Sequence, residues 1–464
     1  MERRPGIRRV ERTKGRAERE EEPDCLHAGH GCPGFGRGAS PSRTCARHRA
    51  PYRTRMRIRP FQALVPRPAF AAEVAAVPYD VVDRDEAAAL AAGKPHSLLH
   101  VDRAEIDLPP DTDPYSDAVY AKARENFDRL QSEGVLVRED VPAVYFYRQT
   151  MGAHSQVGLI AGCHIEDYEN DIIRKHEKTR KVKEDDRTRL VDTLSAHTGP
   201  VFLTYRDVAA VDAIADRVTA GAPLFDLVAD DGIGHTVWRV TGQDAADLSR
   251  LFGEAVPLSY VADGHHRSAS AARVGGERRE KNPAHTGDED YNWFLGVLFP
   301  ATQLQILPYN RVVVDLNGHT PESLVAGIAA AGFRIVPTDL KQPTAPETVH
   351  LYVGGNWHAI SWDHDPSASP VDGLDVSVLQ SRILTPLLGI GDPRTDERIE
   401  FIGGIRGPEA LERKVDSGQA ACAFSMYPVT VDQLMAISDA GQIMPPKSTW
   451  FEPKLRSGLV IQTF

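Results

Sequence analysis

The segment LSYVADGHHRSASAAR, residues 258–273, constrains the fold more than any other part of the sequence. Its first residues form an apolar run that predicts a β-strand, and the small residues after Arg267 predict a helix. A strand that turns directly into a helix leaves main-chain N–H groups unpaired at the helix start, and these groups attract anions. The segment therefore predicts an α/β fold with an anion-binding turn.

The turn itself consists of Asp263, Gly264, His265, His266 and Arg267. Gly264 permits close approach of the backbone to a ligand, and Arg267 supplies a planar fork for phosphate oxygens. Asp263 is a candidate magnesium ligand or proton acceptor, and the histidines can donate to phosphate or shuttle protons. The simpler alternative is a helix capped by Asp263, with histidines that pack or face solvent. Five such residues in one turn favour phosphate binding.

Residues 1–55 differ in composition from the rest of the chain. They carry 14 Lys and Arg against 7 Asp and Glu, whereas the remaining 409 residues carry 40 against 58. Their Gly-, Pro- and Ser-rich middle has no apolar periodicity, which predicts disorder. We interpret this leader as the product of a start assigned too far upstream, with Met56 as the natural first residue.

Two alternatives give the leader a function. Cys25, His30, Cys32 and Cys45 could form a zinc site, although their spacing lacks the C-x2-C pair of standard zinc sites. The excess of basic residues would also suit a tail that contacts nucleic acid. In the acidic remainder, nucleic-acid binding is disfavoured, because that affinity comes mainly from Lys and Arg at phosphates.

Composition predicts a cytoplasmic protein without a membrane span. No run of 18 apolar residues occurs, and the charged N-terminus lacks the apolar core of a secretory signal. Beyond the leader only Cys163 and Cys422 remain, which excludes a disulfide framework and fits a reducing compartment.

Strand-like and helical stretches alternate after Met56, which predicts an α/β protein with mixed sheets. We predict three segments: a core at 56–313, a small β-α-β subdomain at 314–400, and a C-terminal segment at 401–464 that returns to the site. Within the core, the patterning predicts a hairpin across Met151–Ala153 and an amphipathic helix after Ser116.

A second candidate site lies in the charge-dense stretch RKHEKTRKVKEDDRTRL, residues 174–190. His176 and Glu177 offer an acid/base pair beside the hydroxyl of Thr179 and the cation of Arg180. The alternative is a solvated helix with pairs of opposite charge four residues apart, and this reading is strongest after Arg180.

A third candidate site is MPPKSTWFEPK, residues 444–454, where two prolines fix an extended loop. Lys447, Ser448 and Thr449 on that loop suit a phosphate or carboxylate, although the glycines of a P-loop are missing. The alternative is a tight turn with an exposed lysine. Weaker signals, which mix carboxylates with turn residues, come from 78–80, 105–109 and 392–404.

These motifs together resemble one family. The chain from Met56 to Phe464 is similar to the family named domain of unknown function 1015, and DGHHR resembles a box of the ParB/sulfiredoxin-like nucleotide-binding fold. The resemblance rests on RPFQAL (59–64), PYDVV (78–82), EIDLP (105–109), HEKT (176–179), DGHHR (263–267), RIEFIGG (398–404) and MPPKST (444–449). Sulfiredoxins carry a cysteine where this chain has His265, so their thiol chemistry is absent. ParB proteins bind DNA through a separate domain, for which we find no basic recognition helix.

The resemblance implies a kinase, because relatives on this fold phosphorylate free L-serine with a nucleotide or pyrophosphate. It implies that residues 263–267 bind the phosphoryl donor. From residue type, we predict that Glu177 or Asp80 accepts the proton of the serine hydroxyl and that Mg²⁺ bridges the donor phosphates.

The other roles in this prediction also follow from residue type. His266 and Arg267 would cradle the transferring phosphoryl group, and the loop at 447–449 would clamp the far end of the donor. Substrate binding would involve His176, Thr179 and Arg180, the last at the carboxylate. The alternative functions are a non-catalytic nucleotide or phosphate sensor and, through the leader, a nucleic-acid-associated protein.

Overall fold

The computed structural model describes residues 55–464. The predictions made for the leader, including disorder, the zinc site and the basic tail, lie outside these residues. In residues 55–464, helices alternate with strands along the chain, and most of the strands form two large sheets. The predicted α/β class with mixed sheets is therefore confirmed. None of the helices between residues 55 and 464 is both long and apolar enough to cross a bilayer.

The strands of the described residues are β1 (Ile58–Arg59), β2 (Leu64–Pro66), β3 (Leu136–Arg138), β4 (Val144–Met151), β5 (His154–His164), β6 (Ile173–Arg174), β7 (Ala196–His197), β8 (Val201–Tyr205), β9 (Phe225–Val228), β10 (Gly234–Val240), β11 (Ser259–Asp263), β12 (Trp293–Pro300), β13 (Gln305–Leu307), β14 (Tyr309–Val313), β15 (Arg334–Pro337), β16 (Thr348–Val353), β17 (Asn356–Ser361), β18 (Ile399–Gly403), β19 (Cys422–Met426), β20 (Trp450–Glu452) and β21 (Gln462–Thr463). The α-helices are α1 (Ala71–Val74), α2 (Arg84–Ala91), α3 (Leu99–Asp102), α4 (Asp117–Ser132), α5 (Ile165–Glu169), α6 (Lys181–Leu194), α7 (Ala209–Thr219), α8 (Gly242–Ala255), α9 (His265–Lys281), α10 (Pro321–Ala330), α11 (Asp375–Leu379), α12 (Glu409–Asp416) and α13 (Val431–Asp439).

The first sheet has nine strands in the order β6-β11-β8-β12-β5-β4-β10-β9, with β1 antiparallel to β5. It is mixed, because β6 runs parallel to β11 and β8 runs parallel to β12. The predicted hairpin across Met151–Ala153 is confirmed as β4 and β5, whose register pairs Met151 with His154. Strand β11 is the second strand from one edge of this sheet, so the turn that follows it lies next to that edge.

The predicted helix after Ser116 is confirmed as α4, although the Ser116 hydroxyl makes no capping hydrogen bond. The EIDLP segment begins within a 3-10 turn at Ala104–Asp107. The guanidinium of Arg84 donates to four main-chain carbonyls of this region, those of residues 105 and 108–110. This convergence of carbonyls on one cation stabilises the compact turn.

The second sheet is antiparallel, in the order β15-β17-β16-β19-β14-β18. All six strands lie between Tyr309 and Met426, so β14 and β19 fall on either side of the predicted 314–400 segment. The region 293–313 forms three strands, β12, β13 and β14. The segment boundaries and the ParB/sulfiredoxin-like core stay predictions.

The two sheets share one apolar core, in which Phe202 packs against Phe299 and Phe451. Phe451 belongs to β20, which pairs with β13. The chain then ends in β21, which pairs with β7. These two pairings bring the loop at 444–454 back to the edge of the first sheet where β11 ends.

Candidate functional site

The turn between β11 and α9 requires a glycine. Gly264 has φ +94°, a conformation that side chains disfavour, and its N–H donates to Oδ1 of Asp263 at 2.8 Å. A Cβ at this position would also lie 3.1 Å from Nε of Arg267. The predicted strand-to-helix turn is therefore present, with Gly264 as the N-cap and Asp263 folded back onto the turn.

The HEKT segment reaches this turn because β6 pairs in parallel with β11, with Arg174 opposite Tyr260. Two residues later, the ring of His176 packs edge-on against that of His265, with centroids 4.5 Å apart and planes at 87°. Both histidines are buried, at 2% and 6% exposure. Among the described residues, Nε2 of His265 has no hydrogen-bond partner, and the ring of His176 has only an interaction with the main chain of Val261.

The loop at 444–454 covers the same place from the other side. The N–H of Met444 donates to the carbonyl of His176 at 2.9 Å, which fastens the loop to the HEKT segment. Ser448 closes the turn by donating to the carbonyl of Pro445 at 2.7 Å. Lys447 takes a left-handed conformation, with φ +54°, and its carbonyl accepts from Arg311.

Strand β18 packs closely against this loop at Gly403. A Cβ there would lie 2.9 Å from the indole of Trp450, so only glycine lets the ring rest on the strand. Trp450 in turn supports Lys454, whose Nζ lies 4.7 Å from the centre of the indole. Strand β18 thus helps to fix the position of a cation that faces Asp263.

These segments enclose one open cavity of about 330 Å³. Its polar lining is mostly charged or hydroxylic, and its apolar lining is largely aromatic. The lining residues are Asp80, Val81, His176, Glu177, Ala262, Asp263, His265, Tyr309, Phe401, Gly403, Arg406, Met444, Pro445, Lys447, Ser448, Thr449, Trp450, Phe451 and Lys454. The cavity therefore collects side chains from motifs that lie up to about 370 residues apart in sequence.

Two cationic side chains lie next to the carboxylate of Asp263. Nζ of Lys454 lies 3.5 Å and a terminal nitrogen of Arg267 lies 3.9 Å from Oδ2 of Asp263. Burial alone would raise the pKa of this carboxyl, but Lys454 and Arg267 hold the pKa well below its usual range. Asp263 is therefore ionised and already neutralised by its neighbours.

Glu177 has the opposite environment. Solvent reaches its side chain through the cavity, but protein crowds it on its other sides, and this burial raises the pKa of its carboxyl despite the nearby Lys447. Burial also lowers the pKa of His176 to about 4, so its ring is neutral at pH 7. Glu177 can therefore exchange a proton closer to neutral pH than an exposed glutamate.

Several predicted site residues form hydrogen bonds with other parts of the protein. Arg267 lies behind the turn, where it donates to the carbonyl of Pro200 and faces a smaller cavity beside Asp102. Nε2 of His266 accepts from the N–H of Arg180 at 3.0 Å. The hydroxyl of Thr179 donates to Glu184 at 2.7 Å. None of these three residues lines the 330 Å³ cavity, and a ligand role for them stays a prediction.

Arg406 and Lys454 line the cavity although neither was predicted as a site residue. Both lie in or next to predicted motifs, since Arg406 follows RIEFIGG and Lys454 ends MPPKSTWFEPK. Neither position has a local pattern of its own. Glu177 also borders a second open cavity of about 580 Å³, which is lined by Arg174, Lys175, Lys178 and Thr179 among others.

The fold and the cavity define an α/β protein with a cation-rich recess at the end of a strand-to-helix turn. The family described as "Protein of unknown function (DUF1015)" matches residues 58–377, and the chain belongs to this family. A comparison with curated proteins finds no match.

Several solved structures are similar over about two thirds of this chain. A conserved hypothetical protein from Pyrococcus furiosus is 12% identical with a TM-score of 0.33, over 66% of this chain and 95% of its own. A free serine kinase mutant in complex with ADP is 13% identical with a TM-score of 0.33, over 65% and 91%. SbnI from Staphylococcus aureus, truncated at its C-terminus, is 13% identical with a TM-score of 0.32, over 63% and 82%. Likeness at this level transfers neither an activity nor a ligand to this chain.

Proposed function

We propose that the protein transfers a phosphoryl group from pyrophosphate or a nucleotide to the hydroxyl of a small amino acid, with free L-serine as the first candidate. One observation carries this proposal. The same cavity is lined by the cations of Lys447, Lys454 and Arg406 and by the solvent-accessible carboxylates of Asp80 and Glu177. Cations bind and neutralise transferring phosphates, and a nearby carboxylate accepts the proton of the attacking hydroxyl. L-serine itself comes from the family resemblance and not from the cavity.

In the proposed reaction, the oxygen of the serine hydroxyl attacks the terminal phosphorus of the donor. The bond from that phosphorus to the bridging oxygen breaks, and the remaining phosphate or nucleotide leaves with the bonding electrons. The hydroxyl proton passes to Glu177 or Asp80. Because burial raises the pKa of Glu177, its carboxylate is a stronger base than an exposed glutamate.

Mg²⁺ would neutralise and orient the donor phosphates. Asp263 was predicted as its ligand, but Lys454 and Arg267 already surround that carboxylate and disfavour a further cation. Asp80 and Glu177 are the carboxylates that would face a magnesium ion carried in on the donor. The assignment of Asp263 stays a prediction.

The test is formation of O-phosphoserine by the full chain with L-serine and Mg²⁺, with pyrophosphate, ADP and ATP supplied in separate reactions. We expect product with one of these donors, and a loss of about 100-fold or more in kcat for Glu177→Gln. Glu280→Gln, an exposed acid on α9, is the matched control and should retain activity.

Parallel reactions with L-threonine and L-homoserine define the acceptor. Folded protein that binds pyrophosphate but forms no product with any donor or acceptor would contradict the proposal. That result would favour a phosphate sensor, in which Glu177→Gln would leave ligand affinity unchanged.

A further inference from the structure

Three potential metal ligands lie close together in the lining of the cavity. The imidazoles of His176 and His265 and the carboxylate of Glu177 have ligand atoms that all lie within 4.8 Å of one another. They come from two separate chain segments, which the pairing of β6 with β11 brings together. The cluster is thus a product of the tertiary fold.

The two histidines are buried, and their ring nitrogens make few of the hydrogen bonds that buried imidazoles normally make. Within residues 55–464, Nε2 of His265 has no hydrogen-bond partner, and the ring of His176 has only an interaction with the main chain of Val261. A buried polar atom left unpaired destabilises the fold. A bound metal ion would accept the lone pair of one ring nitrogen from each histidine.

We infer that His176, Glu177 and His265 form a binding site for a divalent transition-metal ion of the zinc, cobalt or iron(II) type. Imidazole nitrogen suits these ions, whereas magnesium and calcium prefer oxygen ligands. Two histidines and one carboxylate are also a ligand set that leaves a coordination position open for water or substrate. The open cavity adjoins the cluster and gives that position access to a small molecule.

The geometry requires only small side-chain movements. Zinc bonds of about 2.1 Å place neighbouring ligand atoms about 3.5 Å apart in a tetrahedral site. The observed limit of 4.8 Å therefore closes when side-chain rotations move the ligand atoms by about 1 Å. The side of Glu177 that solvent reaches leaves its carboxylate room for most of this movement.

The inference goes beyond the proposed phosphoryl transfer and does not rest on it. In the metal-bound protein, the carboxylate of Glu177 would serve as a ligand, and Asp80 would be left as the proton acceptor. Metal binding and phosphoryl transfer are therefore measured separately.

The experiment titrates the chelator-stripped full chain with Co²⁺ and, separately, with Zn²⁺, in the absence of substrate. We expect about one ion per chain, with visible Co²⁺ absorption typical of four- or five-coordinate nitrogen and oxygen ligands, and retention in excess Mg²⁺. His176→Asn, His265→Asn and Glu177→Gln should each weaken Co²⁺ binding by about tenfold or more. His285→Asn, a half-buried histidine after α9, is the matched control and should bind as the wild type does.

Circular dichroism of each variant checks that the fold is retained, and the Co²⁺ spectrum of the folded wild type provides a measurement that needs no variant. Absence of bound Co²⁺ in the folded wild type, or equal affinity in all four variants, would overturn the site. Metal binding without phosphoserine formation would support the site and count against the proposed kinase. Phosphoserine formation by protein that binds no Co²⁺ would support the proposed kinase and overturn the metal site.

Discussion

Two carboxylates of one cavity differ sharply in their surroundings. Burial raises the pKa of Glu177, whereas Lys454 and Arg267 hold that of Asp263 well below its usual value. When two carboxyl groups of one site have pKa values shifted in opposite directions, one can exchange a proton while the other stays ionised. In the proposed reaction, Glu177 is therefore a better candidate for the base than Asp263, which would orient Lys454 and the turn.

Replacement of Lys454 by methionine should destabilise the protein by about 1–3 kcal/mol at pH 7, because Asp263 loses its nearest cation. A carboxyl whose pKa is depressed by folding contributes stability above its unfolded pKa of about 3.9, and loses it as pH falls further. The difference in unfolding free energy between wild type and variant should therefore be largest near neutral pH. It should shrink as the pH falls through the folded pKa of Asp263 in the variant, which lies above that in the wild type. Urea unfolding at pH 7, 5 and 3 measures it.

Lys341→Met removes a lysine that pairs with Glu412 at the surface and controls for the loss of a charge. Its effect should be under about 1 kcal/mol. A Lys454→Met effect at pH 7 no larger than that of Lys341→Met would mean that the Lys454–Asp263 contact does not stabilise the fold.

The pH dependence of transfer should follow Glu177. As a base it works when deprotonated, so kcat should rise with pH through its raised pKa. Lys447 lies close enough to lower that pKa, so Lys447→Met should move the acid limb of the kcat profile to higher pH. Lys122→Met on the surface of α4 should leave the limb in place. An unmoved limb in Lys447→Met would assign the titration to another group.

The turn from β11 into α9 is the element that the sequence predicts best, since its signals are local. Gly264→Ala should destabilise the protein by more than the roughly 1 kcal/mol of a strained conformation, because the new Cβ would also press on Arg267. Gly287→Ala, with φ +102° and open space around it, isolates the conformational cost. Thermal or urea unfolding compares the two variants, and equal losses would show that the contact with Arg267 costs nothing.

Other elements depend on contacts that no local pattern encodes. The sequence predicts chemistry at His176 and at His265, but their ring contact follows from the pairing of β6 with β11. Likewise, Gly403 reads as a flexible residue in sequence, and only the packing of Trp450 against it shows why a side chain is excluded. Periodicity locates strands well, whereas partners distant in the chain are set by tertiary packing.

In the whole molecule, the cavity lies where the two sheets meet. Tyr309, Phe401 and Arg406 reach it from the second sheet, while Asp263 and His265 reach it from the first. The loop at 444–454 joins them after the chain has left the second sheet. The relative position of the sheets thus fixes the distance between the cations and Glu177, which no single segment determines.

The second sheet gives a test of how the chain divides. Its six strands are continuous in sequence from Tyr309 to Met426, and β16 at its centre pairs with both β17 and β19. A fragment of residues 314–400 lacks β14, β19 and the last three residues of β18, so β16 loses one partner and the remainder of β18 loses its pairing with β14. We therefore expect residues 305–430 to unfold cooperatively in urea, and residues 314–400 to show no cooperative transition. Cooperative unfolding of the shorter fragment would show that β14 and β19 are dispensable.

Neither fragment should bind pyrophosphate, since both lack Lys447, Lys454 and the strand-to-helix turn. Calorimetric titration of each fragment and of the full chain measures this directly. Binding by the 305–430 fragment alone would place the anion site on the second sheet, at Arg406, and would separate it from Glu177. Absence of binding by the fragment, with binding by the full chain, is expected if the anion site needs both sheets.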